Sequence, residues 1–359
     1  MRGTGAGVNA PFLRAREHIR AVDLAQPDEA ARIEAFVAER GGSVFHRPAW
    51  LSAIERGTGQ RARGLVAERG GAPCGWLPLS EIHSPLFGRM LASSGFAVGG
   101  GALAECDDTA LALCRAAQEL AVCLACPTIE LRGGAAPGDW QHRADSHCGF
   151  AASLAPDDEA QLLAIPRKQR AEVRKGLDSD LQVTVGTGEA DLAAHCAVYA
   201  ESVRNLGTPV FPRALFEAVL AALEADILTV RHRGVPVASV LTLYHAGAAQ
   251  PYWGGGTAQA RALRANDRMY FELMRHARAR GCTTFDFGRS KAGSGAFHFK
   301  RNWGFEPQPL AYASWTAPGA PARDADPRSE HHSARIALWK RLPLPLANRL
   351  GPLIARGLG

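Results

Sequence analysis

Lysine is what this chain has least of among its charges. Of 41 basic residues only Lys168, Lys175, Lys291, Lys300 and Lys340 are lysine, and the other 36 are arginine. Arginine therefore fills the generic basic positions, and each lysine is a candidate for a compact ammonium whose pKa can be tuned. Four of the five fall in two short clusters, 168–175 and 291–300. Long apolar runs are also missing. No uninterrupted stretch reaches the length that spans a bilayer, and the opening MRGTGAGVNAPFLRARE has no apolar core of signal-peptide length, so a cytoplasmic location is expected. The eight cysteines are scattered through apolar segments, as suits reduced thiols. Cys123 and Cys126 form a lone CxxC with no second pair, and within ALALCRAAQELAVCLAC they read as helix-packing residues rather than zinc ligands. His142, His147 and Cys148 lie close together without a recognisable ligand frame, so no metal is expected.

What is present is ordinary globular composition: 359 residues, 47% hydrophobic and 21% charged. That length exceeds what one compact core usually carries, so two domains are expected. A net charge of +6 suits an anionic partner such as a phosphorylated ligand, RNA or a lipid surface. The sequence also contains one pattern twice. RGLVAERGGAPCGWLPL (63–79) and ILTVRHRGVPVASVLTLYH (227–245) both read strand, Gly/Pro turn, strand, with Gly71 and Pro73 answered by Gly234 and Pro236. CPTIELRG (126–133) resembles CTTFDFGR (282–289), and Gly149-Phe150 is answered by Gly304-Phe305. Ala-rich helical stretches at 107–125 and 267–280 precede the two Cys-initiated strands. Each unit thus reads helix, hairpin, helix, strand, loop, strand, which predicts an α/β fold with mixed sheets. The expected division is 10–152, 153–316, a Pro- and charge-rich flexible linker 317–335, and a basic apolar tail 336–359. The hinge between the copies is expected near SLAPDDEAQLLAIP. The tail either packs back on the body or lies on anionic lipid, its prolines preventing one long helix.

Features present in only one copy are candidates for chemistry. By offset Lys300 is answered by Asp145, and the first copy has no lysine. TTFDFG predicts a strand with Phe285 and Phe287 on one face and Thr284 and Asp286 on the other. Arg289, Ser290 and Lys291 then emerge at its carboxyl end, where open α/β sheets bind ligands. The pattern is not GxxxxGK followed by Ser or Thr, which argues against a nucleotide-hydrolysing loop. An oxyanion or phosphate pocket and a tight turn with solvated cations both remain open. In IPRKQRAEVRKGL (165–177), Pro166 can open a helix, Arg167, Arg170 and Arg174 form a stripe, and Lys168 and Lys175 flank it. That stripe is either a solvated face or a phosphate or RNA contact. In QPYWGGGTAQARALRAND, a strand ends in Tyr252-Trp253 and passes a glycine triplet. Gly254 and Gly255 there either admit a ligand to the backbone or permit a bulge. The following helix is expected to be capped by Asn266 or Asp267 and closed by Gly281.

LFGRMLASSGFAVGGG (86–101), IPRKQRAEVRKG, PYWGGGTAQARALRANDRMYFELM and FDFGRSKAGSGAFHFKRNWGFEPQPL together resemble the FemAB-like proteins, and more narrowly their subgroup associated with exosortase/PEP-CTERM exopolysaccharide systems. The resemblance spans nearly the whole chain, including WKRLPLPLANRLG. It implies two tandem acetyltransferase-like (GNAT) units and transfer of an acyl or aminoacyl group onto an amine of a cell-envelope or exopolysaccharide precursor. Lys300 matches the lysine of the family's Phe-Lys motif, implying an oxyanion stabiliser, with Phe299 shaping the site and Asp286 a candidate for handling the proton. Asp286 paired with Arg289 is the competing structural reading. The 167–175 cluster matches the family's basic segment, an anchor for phosphates of a nucleotide-linked acceptor or of tRNA. The implied donors are aminoacyl-tRNA or acyl-CoA, with no firm cofactor. The coiled-coil arm of some members is lacking, and GGGTAQARALRAND does not supply the Arg or Gln, x-x-Gly-x-Gly/Ala pattern that holds a CoA pyrophosphate. Two other functions are carried beside this one. They are an acyl-CoA-dependent N-acetyltransferase and a non-catalytic module recruiting glycan intermediates to the membrane, with peripheral contact through the tail.

Overall fold

The computed structural model describes residues 17–321 and 330–359. The two predicted hairpins form as mirrored copies of one solution. Arg61–Arg69 pairs antiparallel with Ala72–Ser84, and Ala225–His232 with Val235–His245. Each ladder slips register at the matching step, Ala67/Glu68 in the first and Val230/Arg231 in the second. Gly71 and Gly234 take φ of +84° and +79°, a turn conformation that glycine adopts without Cβ strain. The helices behind the sheets repeat as well. Asp107–Cys123 buries Leu113, Ala117 and Ala121, and Ala265–Ala279 buries Met269, Leu273 and Ala277, each set one face at i, i+4, i+8. Within the lone CxxC, Cys126 is buried whereas Cys123 is exposed at the helix end, so only Cys126 packs.

The first sheet runs Glu17–Ala21, Arg61–Arg69, Ala72–Ser84, Gly88–Ser93, Thr128–Arg132, Tyr312–Thr316, Gln141–Arg143, with Leu103–Ala104 on Ala72–Ser84. The second runs Gln182–Gly186, Ala225–His232, Val235–His245, Ala248–Gly256, Thr284–Asp286, Ala151–Ser153. The units exchange strands. Ala151–Ser153, from the end of the first repeat, pairs with Thr284–Asp286, and Tyr312–Thr316 returns to pair with Thr128–Arg132. In each sheet the one parallel pair is short: Leu91↔Ile129 and Ala92↔Glu130 in the first, Ala248↔Thr284 and Ala249↔Phe285 in the second. Past these contacts no further backbone pairing joins the two strands of either pair, which leaves a splay on each sheet.

The units share one core. Trp50, fully buried, stacks on Trp253 at 6.0 Å and meets Phe45 and Tyr252 edge-on. Helices Pro48–Thr58 and Arg213–Ala222 cross so closely that a Cβ on Gly57 would come 2.4 Å from the Leu215 Cα. Burying each such large apolar side chain contributes about 1.5–3 kcal/mol, so this seam joins the halves firmly. The segment read as a hinge holds a short helix, Asp158–Ala164, capped by the Asp157 carboxylate. Of the segment read as a linker, 322–329 lie outside the described residues, as do 10–16, and a helix begins at Glu330. The tail forms two helices, Glu330–Arg341 and Leu344–Ala355. Pro343 caps the second, and Pro352 lies inside it. Ala347, Gly351 and Ala355 face the body, Gly351 against Val210.

Candidate functional site

The second splay opens beyond Thr284–Asp286, and the lysine-bearing loop closes its floor. Phe285 and Phe287 bury on the core face while Asp286 turns the other way, as the alternation predicts. Ser290–Lys291 then pairs with His147–Gly149, which also holds Gln308–Pro309. Ser294 caps Gly295–Asn302 by accepting from Phe297 N–H, and that helix carries Phe299 and Lys300. Lys300 is 9% exposed. Its Nζ donates to the carbonyls of Gly288 and Arg289, both at 3.0 Å, and sits 5.5 Å from the Phe150 ring and 5.8 Å from the Phe287 ring. Burial lowers its pKa to about 8, against the pull of Asp286; Arg289 lowers it further. An ammonium has three donors, so two carbonyls leave one.

Asp286 accepts from Gly288 N–H at 2.8 Å and from Gln250 Nε2 at 3.0 Å. Burial raises its pKa, opposed by the Gly288 bond, Lys300 and Gln250. The competing pairing with Arg289 does not form: Arg289 instead donates to Tyr312 Oη at 3.0 Å and lies over that ring. Gln250, on the strand facing Asp286 across the splay, was not picked out by sequence. Its Oε1 is buried and has no partner among the described residues. Its only sequence signal was a carboxamide just before the Tyr-Trp pair. Phe299 packs between Tyr270 and Trp303, shaping the wall behind the lysine. Ser290 is buried, with its hydroxyl unpartnered among the described residues.

The basic stripe lies alongside. Pro166 ends against Gly304, just past the Lys300 helix, and Ile165 and Val173 enter the same core as Phe287. On helix Arg167–Leu177 the cations divide. Arg170 folds back on the Leu163 and Ile165 carbonyls, and Lys175 pairs with Glu172 at 2.7 Å. Arg167, Lys168 and Arg174 are exposed and have no partner among the described residues. Arginine at position 170 is thus a helix-end clamp, a role a stripe pattern does not distinguish from binding.

This same helix covers the start of Ala265–Ala279. Gly176 lies where a Cβ would be 3.0 Å from the Arg264 carbonyl, Gln169 donates to Asp267 at 2.6 Å, and Glu172 bonds Arg264. Asn266 and Asp267, expected as caps, fall in the first turn instead. The N-cap is Arg264, at φ 56°, its guanidinium on Glu172 and the Arg261 carbonyl. A phosphate at this helix start would meet the Glu172 and Asp267 carboxylates, the opposite of what a free N-terminus offers.

Tyr252 and Trp253 belong to the inter-unit seam. Tyr252 is the extra residue of a bulge, since the register steps from Leu241↔Trp253 to Thr242↔Pro251. The glycines that follow admit protein atoms: a Cβ on Gly254 would come 2.8 Å from Val240 Cγ2, and one on Gly255 2.1 Å from Ser202 Oγ. Tyr252 Oη reaches the Phe96 carbonyl at 2.6 Å. It is one of four donors on successive carbonyls, with Trp50 on Gly95, Arg132 on Ala97 and Tyr312 on Val98. This strap, which includes Ser94 and Phe96 at φ 46° and 63°, fills the region beside the first splay. His142 bonds the Pro137 carbonyl, and His147 bonds Ser146.

The fold is that of a tandem GNAT protein. FemX superposes with a TM-score of 0.63 at 15% identity, covering 82% of this chain and 96% of FemX. A tandem GNAT protein from the clavulanic acid biosynthesis pathway gives 0.55 at 12%, covering 85% and 100%. L-PGS from Bacillus licheniformis gives 0.51 at 13%, covering 92% and 97%. Residues 166–301, which include both lysine clusters, match the family model for an acetyltransferase (GNAT) domain. No curated protein matches the chain by sequence search.

Proposed function

We propose that this tandem GNAT protein transfers an acyl or aminoacyl group to an amine of a cell-envelope or exopolysaccharide precursor, at the second splay. The observation that carries this reading is the buried Lys300 ammonium beside Asp286, where a strand pair opens next to unpartnered cations. The acceptor amine attacks the activated carbonyl carbon, and the carbonyl oxygen becomes an oxyanion. Lys300 stabilises that charge through its remaining N–H, in a site dry enough for a fixed cation to count. Asp286, its pKa raised and its carboxylate oriented by Gln250, takes the proton the amine loses. The tetrahedral intermediate then collapses, expelling the donor's leaving group. Arg167, Lys168 and Arg174 hold phosphates of the donor or of a nucleotide-linked acceptor. Replacing Lys300 by Ala should cut formation of the acylated precursor, followed by mass spectrometry, by about 10²–10³-fold; a loss within about tenfold overturns the oxyanion role.

A second reading, N-acylation from acyl-CoA, is favoured by the acetyltransferase model that matches 166–301. The covered helix start and its two carboxylates weigh against it, and aminoacyl-tRNA is the donor class proposed here. Saturable binding of CoA in a calorimetric titration would reverse that preference. Glycan binding that survives loss of Lys300, without any transfer, would instead favour the non-catalytic recruiting module.

A further inference from the structure

The tail helices face two ways, and their outer face is not explained by a site at the second splay. In Leu344–Ala355 the inner residues Ala347, Gly351 and Ala355 are sealed against the body. Leu346, Leu350 and Leu353, at i, i+4 and i+7, lie on the other side and are 43%, 39% and 62% exposed. Leu338 on the preceding helix is exposed too. The end of body helix Glu189–Leu206 and a body turn extend the patch. Leu206 adjoins Gly207, on which Ile336 and Lys340 rest, and Leu86 lies two residues from Ser84, which Gly357 touches. Six of the ten exposed large apolar side chains among the described residues are therefore in this one region.

The charge on the tail has one sign. Lys340, Arg341, Arg349 and Arg356 are exposed on the same two helices, and from residue 331 onward the sequence has no Asp or Glu. A protein-binding hot spot is usually anchored by aromatic side chains, whereas here the exposed apolar groups are all leucine. Aliphatic side chains rimmed by cations fit the boundary between anionic headgroups and acyl chains. Among the described residues no helix is long and apolar enough to cross a membrane. We infer that the outer face of the tail, with Leu206 and Leu86, docks the protein in the plane of an anionic bilayer.

Co-flotation of the full chain with phosphatidylcholine vesicles, with and without phosphatidylglycerol, tests this. Binding to the anionic vesicles and much weaker binding to the neutral ones is expected, falling as salt is added. Leu350→Glu with Leu353→Glu should lower anionic-vesicle affinity by more than about tenfold, and Lys340→Ser or Arg349→Ser by about fivefold each. Val122→Glu, an exposed position on Asp107–Cys123, should change nothing. If the double variant failed to fold, Leu338→Glu would probe the same face from the neighbouring helix. Absence of flotation on anionic vesicles overturns the inference, as does flotation indifferent to these leucines. A concentration-dependent dimer in sedimentation that the leucine variants dissolve would overturn it as well, by showing a second copy on the face.

Discussion

The two splays start from the same scaffold and end as different places. At the matching strand position the first sheet has Glu130, paired with Ala92 in the short parallel contact, and the second has Asp286, directly after its own. Glu130 is bonded by Arg132, which is 5% exposed and also clamps the Ala97 and Gly359 carbonyls. That charge is used up in holding structure. Asp286 faces Gln250 and Lys300, with the Gln250 acceptor unpartnered among the described residues and a lysine proton to spare. A duplicated fold has thus kept its hydrogen-bonding capacity in one copy and consumed it in the other. Chemistry needs the first condition and stability the second.

Several substitutions would break or sharpen that contrast. Asp286→Asn should lower the transfer rate by about 10²-fold, as loss of a general base does, while Glu130→Gln should leave it within about twofold; equal effects would erase the distinction. Arg132→Ala should destabilise the fold by about 3–5 kcal/mol in urea unfolding, because it strands the groups around a buried cation. Gly255→Ala forces a Cβ onto Ser202 and should cost about 1–3 kcal/mol through overpacking; no loss would mean that the triplet is open space, not packed scaffold. Gly71→Ala and Gly234→Ala, both at positive φ with nothing nearby to clash, should each cost about 1 kcal/mol in thermal melts. Unequal losses there would argue against two equivalent hairpins.

Both hairpins, both packed helices and the Phe285/Phe287 face were legible in the sequence, since each depends on contacts between near neighbours in the chain. The strand exchange was not. Ala151–Ser153 and Thr284–Asp286 are three residues each and far apart in sequence, too short to carry periodicity and joined only by the fold. The lysine scarcity singled out Lys300, which the structure buries; a compact ammonium with a tunable pKa is something arginine does not offer. It could not separate Arg170, spent on two carbonyls, from Arg167 and Arg174 on the same stripe. Gln250 was missed because an amide carries no charge pattern; only the strand opposite gives it meaning. The carbonyl strap at 95–98 was missed for a related reason, as its four donors come from four separate elements.

The central claim is that the Lys300 cation serves the reaction. It is tested most directly by the pH dependence of kcat/KM for transfer, which reports groups of the free enzyme. Lys300 acts when protonated and its pKa is lowered to about 8, so the rate should fall as pH rises through about 8. In Lys300→Arg, whose guanidinium stays charged, that falling limb should disappear from whatever activity remains. A wild-type profile without a falling limb near pH 8, or the same limb kept in Lys300→Arg, would contradict the account.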